Sequence, residues 1–176
     1  VGRIEPFKRQ KEFILVASHV VKVCQDVSFL IIGEAHPIAK HLAYEAEVRR
    51  LVSELKLTDY VTFTGHRTDM SVVMQELDVL VTASAGSVIA EAMAAGKPVI
   101  GTPIGSTTNM IDDGTTGWVV PLFPIEGMAA RIARLAQSPS LCTEMGTAGR
   151  TLAERRLSIG EHVKQVQAVY DQLIQS

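Results

Sequence analysis

Arg3 and Lys8 lie five residues apart in Gly2-Arg3-Ile4-Glu5-Pro6-Phe7-Lys8. A guanidinium offers a planar fork of donors and an ammonium a point charge, so two such cations on one short loop suit a diphosphate. On residue types alone, an ordinary solvated loop with surface charge is the more economical reading. Further along, Gly86-Ser87 stands directly before a stretch of helical period that carries Glu91. Free amides at a helix start attract anions, and a glycine lets a ligand approach the backbone. A carboxylate about one turn into that helix is placed to accept both hydroxyls of a ribose, or simply to partner the helix dipole.

The commoner phosphate signatures are absent. There is no GxGxxG and no GxxxxGK[ST], so neither a dinucleotide fingerprint nor a P-loop is supported. No Asp-x-Asp occurs. The nearest acidic pair, Asp112-Asp113-Gly114, reads as a helix-ending turn rather than a metal site. Cys24 and Cys142 stand alone, without the spacing of a zinc site or a disulfide framework.

The elements that must position these residues follow from the hydrophobic pattern. Continuous apolar runs at Val27 to Ile32, Tyr60 to Thr64, Asp78 to Thr82, Pro98 to Gly101 and Trp118 to Val120 have the pattern of strands buried on both faces, as in a parallel sheet. Amphipathic stretches lie between them. Phe13, Val16, Ala17 and Val20 form one stripe, and Val48, Leu51, Val52 and Leu55 another. Shorter helices are predicted over Ser71 to Leu77, Val88 to Ala95 and Thr107 to Asp112. Alternating strands and helices with short links predict an α/β fold, a doubly wound parallel sheet of about six strands. Ligands of such sheets bind outside the carboxyl ends of the strands, where the Arg3 to Lys8 loop falls.

From about residue 124 the strands stop and a helical tail begins. Met128, Ile132 and Leu135 mark one helix, Ser138-Pro139 opens a second, and Ser158 with Glu161 forms a capping box for a third, whose stripe is Val163, Val166, Tyr170 and Leu173. Val1-Gly2-Arg3 reads as the end of a strand, so the expectation is a single domain over 1–176 that is a piece of a longer chain.

Composition narrows the function classes. Among 176 residues, 47% are hydrophobic, which excludes disorder, and 17 basic against 19 acidic residues give a net charge of −2. That balance holds no footprint for DNA or RNA and no polybasic membrane patch. The apolar runs are far shorter than a bilayer span, and the amino end shows no secretory pattern, so the expected location is cytoplasmic.

Ser87-Val88-Ile89-Ala90-Glu91-Ala92-Met93-Ala94-Ala95-Gly96-Lys97-Pro98-Val99-Ile100 resembles the signature of the family-4 retaining glycosyltransferases, "(F)G-x-V-x-x-E-A-M-A-x-G-x-P-V". Val1-Gly2-Arg3 with Lys8 is similar to that family's "VGR…K" start, Val61 to Gly65 to its "V-x-F-x-G", Asp78 to Val81 to the strand before the signature, and Gly114 to Val120 to its "dGxxGxxV" turn and strand. The similarity covers nearly the whole chain. It implies the Rossmann-like, carboxyl-terminal domain of a two-domain GT-B enzyme, which binds the nucleotide-diphosphate sugar donor.

The resemblance also implies roles. Arg3 and Lys8 would hold the pyrophosphate and stabilise charge on the departing nucleotide, Glu91 would bind the ribose, and the amides of Gly86, Ser87 and Val88 would face the phosphates or the sugar. Gly65 and His66 would flank the base, mostly through backbone. No metal and no cofactor is implied, and the acceptor would be held mainly by an amino-terminal domain missing from this chain. Alternatives are a GT-B nucleotide-sugar epimerase and a non-catalytic nucleotide- or partner-binding module of the same fold.

Two positions depart from the pattern. The family's first glutamate falls eight residues before Glu91, where this chain has Ala83, and Thr82 to Gly86 is about four residues short. Because the flanks keep the pattern, the expectation is a backbone break between Ser84 and Gly86. The second departure is Asn109, where the family often has glutamate.

Overall fold

A computed structural model of the chain describes residues 1–175, the side chain of Gln175 excepted. After a single 3-10 turn (Pro6–Lys8), the elements run α1 (Gln10–Val21), β1 (Phe29–Ile32), α2 (Ala39–Glu54), β2 (Val61–Gly65), α3 (Met70–Glu76), β3 (Leu80–Thr82), α4 (Val88–Ala94), β4 (Val99–Gly101), α5 (Thr107–Met110) and β5 (Gly117–Val119). Three helices follow: α6 (Ile125–Ala136), α7 (Pro139–Leu152) and, after a π-type turn (Ala153–Leu157), α8 (Ile159–Gln175). The α/β alternation and the helical tail are as the pattern predicts. Among the described residues five strands form rather than six, and they lie in two parallel sheets, β1-β2 and β3-β4-β5.

Register is set by apolar residues facing one another. Phe29 lies opposite Val61 and Ile31 opposite Phe63, with a slip before Ile32 meets Gly65. Leu80 lies opposite Val99, which in turn lies opposite Gly117. β4 is buried throughout, the central-strand pattern, whereas β2 exposes Thr62, as an edge strand does. Val1 to Ile4 is not itself a strand, but it runs beside the end of β1: the Gly2 amide donates to Ile32 O at 2.9 Å and the Ile4 amide to Glu34 O at 3.0 Å.

The larger core gathers Ile14, Val20, Ile31, Val48, Ile100, Trp118 and Met128, and a second cluster gathers Met74, Leu80, Ile89, Met93, Val99 and Leu152. Each such side chain contributes about 1.5–3 kcal/mol relative to exposure. α7 packs against α4 closely because it presents Gly146, where a Cβ would lie 1.9 Å from the carbonyl oxygen of Gly96 in the turn after α4. Ser158 Oγ accepts the Glu161 amide at 3.3 Å, the predicted cap of α8. Ser138 occupies the N-cap position of α7, yet its hydroxyl faces Ser140 Oγ at 3.4 Å and caps no amide. The α8 stripe of Val163, Val166 and Tyr170 is exposed.

The expected break between Ser84 and Gly86 is absent; the backbone passes through Ala85 and Gly86 into α4. Local hydrogen bonding closes the short turn. Thr82 Oγ1 donates to Ser84 O at 2.8 Å and accepts the Ser84 amide at 3.3 Å. Ala85 then rests on Gly105, where an added Cβ would come within 2.9 Å of the Ala85 methyl. A threonine at the strand end thus does with its hydroxyl what a longer loop does with further residues.

Candidate functional site

The cationic loop is shaped by local chemistry. Pro6 opens the 3-10 turn, and Arg9 turns the chain out of it with a left-handed φ of 59°. Buried Gln10 then donates from Nε2 to Arg3 O at 2.8 Å, which ties the loop to the first turn of α1. Arg3 projects its guanidinium into solvent with Glu5 at 3.4 Å, and that same carboxylate lies 3.9 Å from His41 Nε2. Lys8 turns the other way. Its Nζ donates to Ser84 Oγ at 3.2 Å, so the loop reaches the carboxyl end of β3.

Three glycines bring the strand ends together. The Gly33 amide donates to Gly65 O at 2.9 Å, and a Cβ on Gly33 would lie 2.1 Å from Gly2 O. Gly33 also has φ +130°, a conformation that L side chains rarely adopt. These contacts put Arg3 beside the β2 exit. A cleft of about 450 Å³ opens there, lined by Arg3, Gly33, His36, His66 and Arg67 among others. Arg67 forks onto Asp69 at 2.8 and 2.5 Å, which fixes the far wall. His66 therefore shares a cleft with Arg3, while Gly65 meets that cleft's wall only through the bond from its carbonyl to the Gly33 amide. Gly33 and His36 were not singled out from the sequence, although Gly33 does close the first apolar run.

Glu91 lies on the exposed side of α4, where its Oε1 accepts from Ser87 Oγ at 2.9 Å. Gly86 has open space where a Cβ would go, so packing does not demand a glycine there. Val88 is partly buried against the second core cluster, which leaves only its backbone to face outward chemistry. Among the described residues, no hydrogen bond or ion pair joins Glu91 to Arg3 or Lys8. The link runs through Ser84, which holds Lys8 and leads within three residues to Ser87. Asn109 is exposed on α5.

Asp112 and Asp113 serve the turn predicted for them. Asp113 Oδ1 accepts the Val119 amide at 2.8 Å, Asp112 O accepts the amides of Thr115 and Thr116, and Asp112 faces Arg156 at 3.5 Å. Among the described residues, no three His, Cys, Asp or Glu side chains gather as a metal site would need, and no helix is long and apolar enough to cross a membrane.

The chain resembles known proteins along nearly its whole length. The chain is 29% identical over 181 residues to the alpha-D-kanosaminyltransferase of Streptomyces kanamyceticus, covering 98% of this chain and 45% of that relative. It therefore spans less than half the relative's length. Among solved structures, Anabaena HepE in complex with UDP superposes with a TM-score of 0.86 at 21% identity, covering 97% of this chain and 48% of that one. That likeness establishes the fold. The carboxyl-terminal domain of a group 1 glycosyl transferase, LpcC of Francisella tularensis, gives 0.82 at 26% identity, covering 90% of this chain and 84% of that one. The family model described as glycosyl transferases group 1 matches residues 1–138, and this chain belongs to that family.

Proposed function

We propose that the chain is the donor-binding half of a retaining glycosyltransferase, holding a nucleotide-diphosphate sugar. The observation that carries this reading is the single loop from Arg3 to Lys8, one end of which opens on the His66 cleft while the other touches Ser84, just before the Ser87 to Glu91 turn. A donor laid along that path puts its base by Gly65 and His66, its ribose on Glu91 and its diphosphate between the two cations and the amides of Gly86, Ser87 and Val88. Arg3 and Lys8 then neutralise charge as the sugar–phosphate bond breaks, a role preorganised cations fill without a metal. The acceptor is held mainly by an amino-terminal domain outside this chain, and the enzyme works in the cytoplasm.

One observation favours a second reading. With the turn from Thr82 to Gly86 complete, Ala83 stands where the family's first glutamate falls. A module that binds nucleotide without catalysing transfer accommodates that alanine. Calorimetric titration of the chain with UDP, GDP and ADP, alongside the free nucleosides, tests the donor site. Saturable binding of one diphosphate, far tighter than its nucleoside, supports the site; binding of none of them refutes it. Turnover by the complete protein separates the two readings.

A further inference from the structure

Glu5 sits where it can govern Arg3. Its backbone is fixed on both sides: Ile4 is fully buried and donates its amide to Glu34 O at 3.0 Å, and Glu5 O accepts the Lys8 amide at 2.9 Å. The Glu5 side chain is largely enclosed, 14% exposed, whereas that of Arg3 beside it is 66% exposed. Of the two, the guanidinium is the partner free to move. Glu5 Oε1 meets Arg3 Nη2 at 3.4 Å, a contact at one corner rather than a bidentate fork. Its Oε2 is shared with a second partner, His41 Nε2 at 3.9 Å. His41 belongs to the first turn of α2, and its Nδ1 is buried without a partner, so among the described residues Glu5 is the one group that pairs with this ring's nitrogens. We propose that Glu5 is a positioning residue that restrains Arg3, and that a proton on His41 draws the carboxylate off the guanidinium and frees it for a diphosphate. The inference rests on the reading of Arg3 as a diphosphate ligand.

The restraint follows from charge. A carboxylate beside Arg3 cancels part of the field that an anion meets there, so a diphosphate must compete with Glu5 for the guanidinium. At 3.9 Å the neutral imidazole of His41 makes no hydrogen bond and exerts little pull on Oε2. An imidazolium adds a unit charge and turns the same contact into an ion pair, a change that histidines make between about pH 5 and 8. As pH falls, His41 therefore gains its hold on Glu5, Glu5 releases Arg3, and the diphosphate binds more tightly. The other titratable group facing the ring is His36, with its ring centroid 6.4 Å away. On α2 itself, Lys40 adjoins His41, and Glu45 one turn on is taken up by Arg49 and the Ala35 amide. From α1, Lys11 is taken up by Glu47.

The test is calorimetry with UDP, GDP and ADP, read for the tightest of them at about pH 8 and about pH 5.5. Wild type, Glu5→Gln and His41→Gln are compared, each also in an Arg3→Ala background. At the higher pH, Glu5→Gln is expected to bind about threefold to fivefold tighter than wild type. At the lower pH, wild type is expected to close that gap and His41→Gln to keep it; ratios taken at one pH remove the ligand's own titration. With Arg3→Ala both differences are expected to vanish, whereas a charge acting through space persists. Without ligand, the Arg3 Nε resonance of the wild type is expected to move with pH and to lose that movement in His41→Gln, a readout that needs no Glu5 variant. Equal affinity of Glu5→Gln and wild type, a gain that survives Arg3→Ala, or a pH profile and an Arg3 resonance unchanged by His41→Gln overturns the inference and leaves the donor site intact. Failure of every nucleotide to bind, or binding indifferent to Arg3→Ala, overturns the reading of Arg3 along with it.

Discussion

Lys8 and Ser84 stand 76 positions apart and are joined by a hydrogen bond of 3.2 Å from Nζ to Oγ. The bond ties the cationic loop to the end of β3, immediately before the turn that leads to Glu91. Because Ser84 is a neutral partner, the ammonium keeps its charge for an anion. Lys8→Ala is therefore expected to weaken nucleoside diphosphate binding at least tenfold, the cost of losing one charge-assisted hydrogen bond. Ser84→Ala removes only the tether, and its effect on binding is expected to stay within about threefold. Calorimetry on both variants checks the pair.

Glu91 tests the ribose contact separately from the phosphates. Its carboxylate is exposed and, among the described residues, is held by Ser87 Oγ alone. Glu91→Gln is expected to weaken the preferred nucleoside diphosphate about tenfold or more while leaving inorganic pyrophosphate unchanged, since pyrophosphate has no hydroxyls to offer. Equal loss for both ligands would place Glu91 in the fold's electrostatics rather than on the ribose.

Gly33→Ala strikes the joint between the strand ends. The added Cβ meets backbone at 2.1 Å, where no flexible atom can move aside, and φ +130° is unfavourable for alanine. The expected cost is about 2–4 kcal/mol, a fall of roughly 10 °C in melting temperature. Gly65→Ala has open space around it but φ +69°, so a smaller loss of about 1 kcal/mol is expected. Thermal denaturation of the two variants separates contact from conformation.

The Arg67–Asp69 pair at the cleft wall carries a pH signature. The guanidinium beside it holds the Asp69 carboxyl below the usual carboxylate range. A carboxyl depressed in the folded state contributes stability above its unfolded value, and that contribution disappears as pH falls through the folded value. The melting-temperature difference between wild type and Asp69→Asn should therefore be constant near neutrality and shrink toward zero in strong acid. Both side chains are exposed, so the difference is small throughout. A difference that grows in acid contradicts this assignment.

Most of the fold could be read from hydrophobic periodicity, because a parallel sheet buries both faces of its inner strands. The β4 run from Pro98 to Gly101 is the clearest case, and the structure leaves none of it exposed. Strand starts shifted by a residue or two, as where the run from Asp78 enters its strand only at Leu80, while its end at Thr82 stands. The break expected beside Ser84 fails for a local reason: the length of the family's loop was carried over, while a Thr hydroxyl two residues from Ser84 closes a shorter turn. Arg3, Lys8 and Glu91 stand out as candidates from type and spacing. The Lys8–Ser84 bond and the Gly2–Gly33–Gly65 contacts were not, since both pair residues tens of positions apart and depend on which strands become neighbours.

The central claim is that one path along Arg3 to Lys8 receives the donor nucleotide. Amide chemical-shift mapping with UDP, GDP and ADP tests it most directly. The claim predicts saturable shifts for one of the three at Arg3 to Lys8, Gly65, His66 and Gly86 to Glu91, with α6 to α8 silent. Shifts confined to other surfaces, or none at any of these residues at millimolar nucleotide, would contradict it.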